Sequence, residues 1–273
     1  MKIALCFNQI SFTIAKAYAD KYDKNLIILF SINRVKVTIK DKSDFNIKEI
    51  CRLNLVFFAL LSILGMVKVL LIPHHILGIF GDILFNLSKK VDYIDDGMDT
   101  LRNTPKNFNL AKYSSESTYY TFTDYNQVGC WLRSRKLVKI CKLEKVLEND
   151  DKIFFDFLNN IVLVVEAPGI KTDIFSNKSL KQNYIFTHPS PLKQKKWDSK
   201  IHHIDRSVYS VEKTMLKMEN GIIVIGESMS LLICIYSGLS DNATIKVYLD
   251  DSDNLTCLVE LIKGIKNIKI MEN

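Results

Sequence analysis

The chain has 273 residues, 48% hydrophobic, with a formal net charge of +7. That is enough apolar material for one large domain or two of ordinary size, and two is the expectation. No Gly/Ser-rich, Pro-rich or strongly charged stretch reads as disordered, and no repeat of 20–50 residues is present, which excludes a solenoid or a low-complexity linker protein. The lysines fall in scattered clusters such as Lys193, Lys195, Lys196 and Lys200. Such clusters suit an ordinary solvated surface or anionic small molecules and lipid, and without a recognition motif or an aromatic-interleaved basic sheet no nucleic-acid partner is expected.

The first half alternates compact apolar runs with helical patterns. The reading is strand Lys2–Phe7, helix Ser11–Lys21, strand Leu26–Ser31, helix Ile47–Leu64, strand Val67–Ile72, helix Ile76–Lys89 and strand Val91–Ile94. Residues 33–46 form a polar connection with room for an extra strand. This alternation predicts βαβ units around a parallel sheet. The run from Leu53 to Ile72 is nearly as long as the ~20 residues of a membrane-spanning helix. Gly65 divides it, however, and Lys68 is a charge that a bilayer interior penalises. A buried helix over Ile50–Leu64 followed by a strand is the better reading, with peripheral membrane contact kept as a second expectation.

Asn103–Ser115 reads as loop and Tyr119–Phe122 as a short strand. Trp131–Leu147 has helical composition and ends at Asn149-Asp150-Asp151, the expected linker between domains 1–150 and 151–273. A second alternating series follows. It comprises helix Lys152–Asn159, strand Ile161–Glu166, a turn at Pro168-Gly169, a helix no longer than Ser179–Gln182 and strand Tyr184–Thr187. It continues with helix Val211–Met218, strand Ile222–Ile225, helix Ser230–Leu239, strand Ile245–Leu249, helix Leu255–Ile265 and strand Ile268–Met271. The expected fold class is therefore α/β, two Rossmann-like domains facing each other across a cleft at the carboxyl ends of both sheets.

The cysteines, Cys6, Cys51, Cys130, Cys141, Cys234 and Cys257, lack metal-ligand spacing and sit mostly in apolar runs. A reducing compartment is expected. The N-terminus enters the first strand without a long apolar leader, so the expected location is cytoplasmic, with room for peripheral association at the inner membrane face.

Three polar islands stand at strand ends. Asp95-Asp96-Gly97 follows Val91–Ile94. Adjacent carboxylates on an extended chain point to opposite sides, so one faces the cleft, either as a general base or as part of a turn capping the next helix. His188-Pro189 follows Tyr184–Thr187, where an imidazole can meet a phosphate; His74, His75, His202 and His203 read as surface or loop positions. Gly226-Glu227-Ser228-Met229-Ser230 joins a strand to an apolar helix. Free N–H groups and serine hydroxyls there suit a phosphate, and Ser228 or Ser230 also suits the N-cap. It is neither a Walker loop nor a dinucleotide fingerprint. Asp250-Asp251-Ser252-Asp253 is a competing metal-type motif, but so little chain follows it that a surface loop is preferred.

In order and spacing the islands resemble the motif set of bacterial sialyltransferases of GT-B type, the lipooligosaccharide sialyltransferase and polysialyltransferase-like families. Those families carry an acidic pair with glycine, then His-Pro, then a serine motif. Cys6-Phe7-Asn8-Gln9 also looks like their first strand and loop. The resemblance covers most of the chain in order, but only a dozen residues in identity. It implies a GT-B architecture and inverting transfer from CMP-sialic acid without metal or cofactor, onto a glycan or glycolipid acceptor. By position Asp96 would be the general base, and His188 would stabilise or protonate the departing phosphate. Ser228 and Ser230 would hold that phosphate, Glu212 would bind the ribose, and Asn8, Gln9 and Pro189 would line the donor site. Two departures accompany this: Met229 separates serines that are adjacent in many relatives, and the chain is short. Another nucleotide sugar, or a non-catalytic glycan-binding or assembly role, are the alternatives.

Overall fold

The computed structural model describes residues 1–32, 34–73, 78–95, 116–121, 136–140, 159–167, 170, 183–187, 196, 201–204, 210–237, 239, 241–250 and 253–271. The chain divides into two compact units, Met1–Lys142 and Leu143–Asn273.

The first unit holds a seven-stranded sheet. Its strands are β1 (Lys2–Cys6), β2 (Ile27–Phe30), β3 (Asn46–Glu49), β4 (Val69–Ile72), β5 (Val91–Ile94), β6 (Thr118–Thr121) and β7 (Lys136–Lys139). Helices α1 (Gln9–Tyr22), α2 (Ile39–Asp44), α3 (Arg52–Ile63) and α4 (Gly78–Leu87) lie between them. The order is β3-β2-β1-β4-β5-β6-β7, and each pairing is parallel. Strands buried on both faces explain the continuous runs Ile-Ala-Leu-Cys and Ile-Ile-Leu-Phe. Helix α1 follows β1 and packs on it with Phe12, Ile14, Ala15 and Tyr18 buried. A second core joins Ile3, Leu5, Leu29 and Leu70 to Phe58 of α3 and Leu84 of α4.

The second unit has a six-stranded sheet of β8 (Asn159–Val165), β9 (Asn183–Phe186), β10 (His202–Ile204), β11 (Asn220–Ile225), β12 (Ala243–Tyr248) and β13 (Ile268–Met271). Helices α5 (Ser210–Lys217), α6 (Met229–Tyr236) and α7 (Thr256–Lys263) precede or connect its later strands. Its order, β10-β9-β8-β11-β12-β13, is again parallel throughout. Counted within each unit, the second order is 3-2-1-4-5-6, the Rossmann arrangement, and the first is the same with a seventh strand added at its end. The expectation of two α/β Rossmann-like halves therefore holds.

Four local expectations are corrected. Residues 33–46 carry the short helix α2, and the extra strand lies just beyond, at Asn46–Glu49, shortening the expected helix at its start. The helical reading of Trp131–Leu147 is broken by β7, which pairs with β6 from Thr118↔Lys136 to Thr121↔Lys139. His202 and His203 are exposed, but in strand β10, where the His202 ring stacks on Tyr184. Helix α3 is not buried: Phe58, Ala59 and Ser62 face the core, while Leu53, Phe57, Leu60 and Ile63 are exposed, because the sheet covers only one side. Helices expected over Lys152–Asn159 and Ser179–Gln182, and the turn at Pro168-Gly169, fall outside the described residues, save Asn159, which begins β8.

Candidate functional site

In a doubly wound sheet the natural ligand crevice lies beyond the carboxyl ends of the two strands between which the order reverses. In the second unit these are β8 and β11, paired from Gly221↔Ile161 to Ile225↔Val165. Each runs apolar to its end and then meets an acid, Glu166 after β8 and Glu227 after β11, both buried. The backbone N–H of Glu166 donates to Phe186 O at 2.9 Å, and Glu227 Oε1 accepts from the Asp250 N–H at 3.1 Å, tying the β11 loop to the end of β12. Glu166 was not singled out from the sequence; the available signal was the acid ending Ile-Val-Leu-Val-Val.

The serine motif occupies this crossing point. Ser228 is the N-cap of α6, in extended backbone, and its Oγ accepts the Ser230 N–H at 3.2 Å. An accepting hydroxyl still has its own proton to give. Ser230 is spent differently: buried, it donates its hydroxyl to Oε1 of Glu212 in the first turn of α5. Helix α6 is held rigidly behind this start by Leu231, Leu232, Ile233 and Cys234, all buried. The Cys234 thiol is pushed up, first by burial and then by the charge of Glu212, and stays protonated and unreactive. The result is a helix N-terminus at a switch point with the Ser228 hydroxyl beside it, the Ser230 N–H being given to Ser228 Oγ and the Leu231 N–H to Ser228 O. That arrangement can hold an anion.

In the first unit the reversal lies between β1 and β4, and Asn8-Gln9 follows β1. Asn8 caps α1 through Oδ1, which accepts the Ser11 N–H at 2.9 Å, while Ser11 Oγ accepts the Asn8 N–H at 3.3 Å. Gln9 Oε1 accepts the Lys36 N–H at 3.0 Å, fastening the chain after β2 to the start of α1. Both side chains thus shape the loop ends at this point.

Of the acidic pair, Asp95 is fully buried and Thr121 Oγ1 donates to its Oδ2 at 2.7 Å, while its N–H donates to Tyr120 O at 2.9 Å. Asp92, on β5, does similar work: Oδ1 accepts the Thr118 N–H and Oδ2 meets Lys90 Nζ, both at 2.9 Å. Asp96, Gly97, His188 and Pro189 lie outside the described residues. The sites brought together are therefore Ser228, Ser230 and Glu212.

Asp250 and Asp253 are exposed, consistent with a surface loop, and Asp251 and Ser252 lie outside the described residues. Among the described residues no group of His, Cys, Asp and Glu could hold a metal ion. Cys6, Cys234 and Cys257 are buried thiols; Cys51 is exposed at the N-cap of α3, and Cys130 and Cys141 lie outside the described residues.

No protein-family model and no curated protein matches this sequence. Among solved structures, the chain is similar to MurG of Acinetobacter baumannii, at 9% identity and a TM-score of 0.49, over 99% of this chain and 85% of that one.

Proposed function

We propose that the chain is an inverting sialyltransferase of GT-B architecture. It would move sialic acid from CMP-sialic acid to a hydroxyl of a surface-glycan precursor, such as lipooligosaccharide, O-antigen or capsule, at the cytoplasmic face of the membrane. The observation that carries this reading is the Ser228-capped N-terminus of α6 at the β8/β11 switch point. A nucleotide-sugar phosphate suits such a site, and the island order along the sequence supports the sialyl donor.

In this mechanism Asp96 takes the proton of the acceptor hydroxyl as its oxygen attacks the anomeric carbon of sialic acid. The bond from that carbon to the CMP phosphate oxygen breaks on the opposite side, so the configuration inverts. The leaving phosphate collects negative charge. His188, the Ser228 hydroxyl and the first N–H groups of α6 would stabilise that charge without a metal, and such preorganised donors are worth several kcal/mol when aimed at developing charge, roughly 3 for a single donor. Ser230 would stand behind Ser228 at the phosphate, and Glu212 would meet the ribose hydroxyls. Asn8 and Gln9 are assigned to the donor by the resemblance alone, and Pro189 would fix the direction in which the chain leaves His188.

The test is release of CMP from CMP-sialic acid in the presence of a galactoside acceptor. Turnover is expected, and Asp96→Asn and His188→Ala should each lower kcat by about 10²-fold or more. Unchanged turnover in both variants would overturn the mechanism. Turnover with a different nucleotide sugar would keep the architecture and replace the donor.

A further inference from the structure

Helix α3 is apolar on its outer face as well as on the face that buries Phe58 and Ala59. It buries Ser62, whose Oγ has no hydrogen-bond partner among the described residues, and turns Leu53, Val56, Phe57, Leu60, Ile63 and Leu64 outward. Leu53 is 79% and Leu64 71% exposed, and Met66 extends the strip past the helix end. These positions follow helical spacing, so they form one continuous stripe, which solvated monomers rarely present. Asn54 donates to Glu49 O at 2.7 Å. The outward side chains of the stripe itself are all hydrocarbon or thioether.

The surrounding charge is cationic. Arg52 is the only charged residue of α3 and stands in its first turn, where a positive charge opposes the helix dipole and gains the fold nothing. Lys48 and Lys68, before and after the helix in sequence, are exposed, as is Glu49. The first unit holds 21 of the 37 basic side chains and 12 of the 30 acidic ones, a net of +9; the second holds the other 16 and 18, a net of −2. The excess positive charge therefore belongs to the unit that carries the apolar stripe. Twelve helical residues span about 18 Å, too short to cross a bilayer but suited to lying in its surface.

We propose that the outer face of α3, with Leu64 and Met66, is a lipid-docking surface for an anionic bilayer. Leu53, Phe57, Leu60 and Ile63 enter the acyl boundary, while Lys48, Arg52 and Lys68 meet the headgroup phosphates. The inference is independent of the sugar donor.

Flotation of the full chain with vesicles of phosphatidylcholine, with and without phosphatidylglycerol, tests it. Wild type should float with the anionic vesicles and be released by salt. Phe57→Glu with Leu60→Glu should weaken binding on the order of tenfold or more while the circular-dichroism spectrum keeps its folded shape, the Phe57 ring leaving Phe58 buried behind it. A second variant, Arg52→Glu with Lys68→Glu, leaves the stripe intact and should weaken binding to anionic vesicles by a similar factor. Equal binding by all three proteins would overturn the proposal. So would the absence of flotation combined with a concentration-dependent dimer in ultracentrifugation that the Phe57/Leu60 variant abolishes, which would assign the face to a second copy of the chain.

Discussion

The Ser230 hydroxyl donates to Oε1 of Glu212, joining the first turn of α6 to the first turn of α5 inside the second unit. A buried carboxylate that loses a donor keeps its desolvation cost, whereas an amide in its place still accepts. Ser230→Ala should therefore lower unfolding stability by about 1–3 kcal/mol, and Glu212→Gln by less than about 1 kcal/mol. Urea denaturation followed by circular dichroism checks the ranking; a Ser230→Ala midpoint equal to wild type would show that the contact is not stabilising.

Ser228 can be divided between its two roles with one pair of variants. Alanine at an N-cap costs about 1 kcal/mol and glycine only a few tenths, yet neither carries a hydroxyl. Ser228→Ala should be visibly less stable than Ser228→Gly. Both should bind CMP more weakly by a similar factor, on the order of tenfold for one charged hydrogen bond. Titration calorimetry with CMP checks this, and wild-type affinity in both variants would remove the hydroxyl from the phosphate site.

The strands that sequence reasoning misplaced or did not see, β3, β7 and β10, all stand at sheet edges. An edge strand pairs on one side and is kept short and polar, as in Asn-Ile-Lys-Glu, Lys-Leu-Val-Lys and His-His-Ile, so it lacks the apolar run that marks a central strand. Edge strand β13 was legible because Ile268, Ile270 and Met271 keep an apolar signal. The islands themselves were readable, since each follows an interior strand that ends in apolar residues, Tyr-Ile, Ile-Phe and Ile-Ile-Val-Ile. Which serine caps α6 was not, because both fit the N-cap preference and the choice depends on Glu212, eighteen residues away. The exposure of α3 was hidden for a related reason: a helix apolar all round gives no sign of which side the sheet will cover.

Acid should loosen the first unit through Asp41. Burial alone pushes its carboxyl up, but the Lys16 ammonium at 2.6 Å and the Thr38 N–H and hydroxyl outweigh it and hold the group below its usual 3.8. A carboxylate whose pKa is lower folded than unfolded adds stability above the unfolded value and loses it as pH falls through the folded one. Wild-type stability should therefore drop more steeply below pH 3.8 than that of Asp41→Asn. At neutral pH the variant should be weaker by about 1–2 kcal/mol, having lost the Lys16 pair and part of the capping box. Melting temperatures from pH 2 to pH 7 would show the two curves converging at the acid end; parallel curves would discount Asp41.

Gly221, the second residue of β11, has φ +143° where the pairing with β8 shifts register. A Cβ there would lie 2.7 Å from Ile161 O and 2.8 Å from Met218 Cε, and L side chains rarely adopt that backbone. Gly221→Ala should cost about 1–3 kcal/mol. Gly264, whose Cβ would meet only Leu261 O at 3.6 Å, provides the control: Gly264→Ala should be neutral within about 0.5 kcal/mol or slightly stabilising. Comparable losses at both positions in thermal melts would mean that the β11 bulge is not the constraint.

The neighbours Asp95 and Asp96 should separate stability from turnover. Asp95 is enclosed against β6, with Thr121 Oγ1 donating to its carboxylate, so it serves the β5–β6 pairing and is fully buried. Asp95→Ala should destabilise the chain by about 1–3 kcal/mol through the polar groups it leaves behind, and Thr121→Val should reproduce part of that loss. Asp96 is assigned the proton-accepting role, so Asp96→Asn should melt with wild type while CMP release falls by about 10²-fold. A pH–rate profile distinguishes this from a merely positional effect: the acidic limb of kcat/KM should disappear in Asp96→Asn and persist in Thr121→Val. If instead Thr121→Val shifted that limb while Asp96→Asn left it in place, the general base would be Asp95, reached by an opening at the end of the β5–β6 pair, and the roles of the two aspartates would exchange.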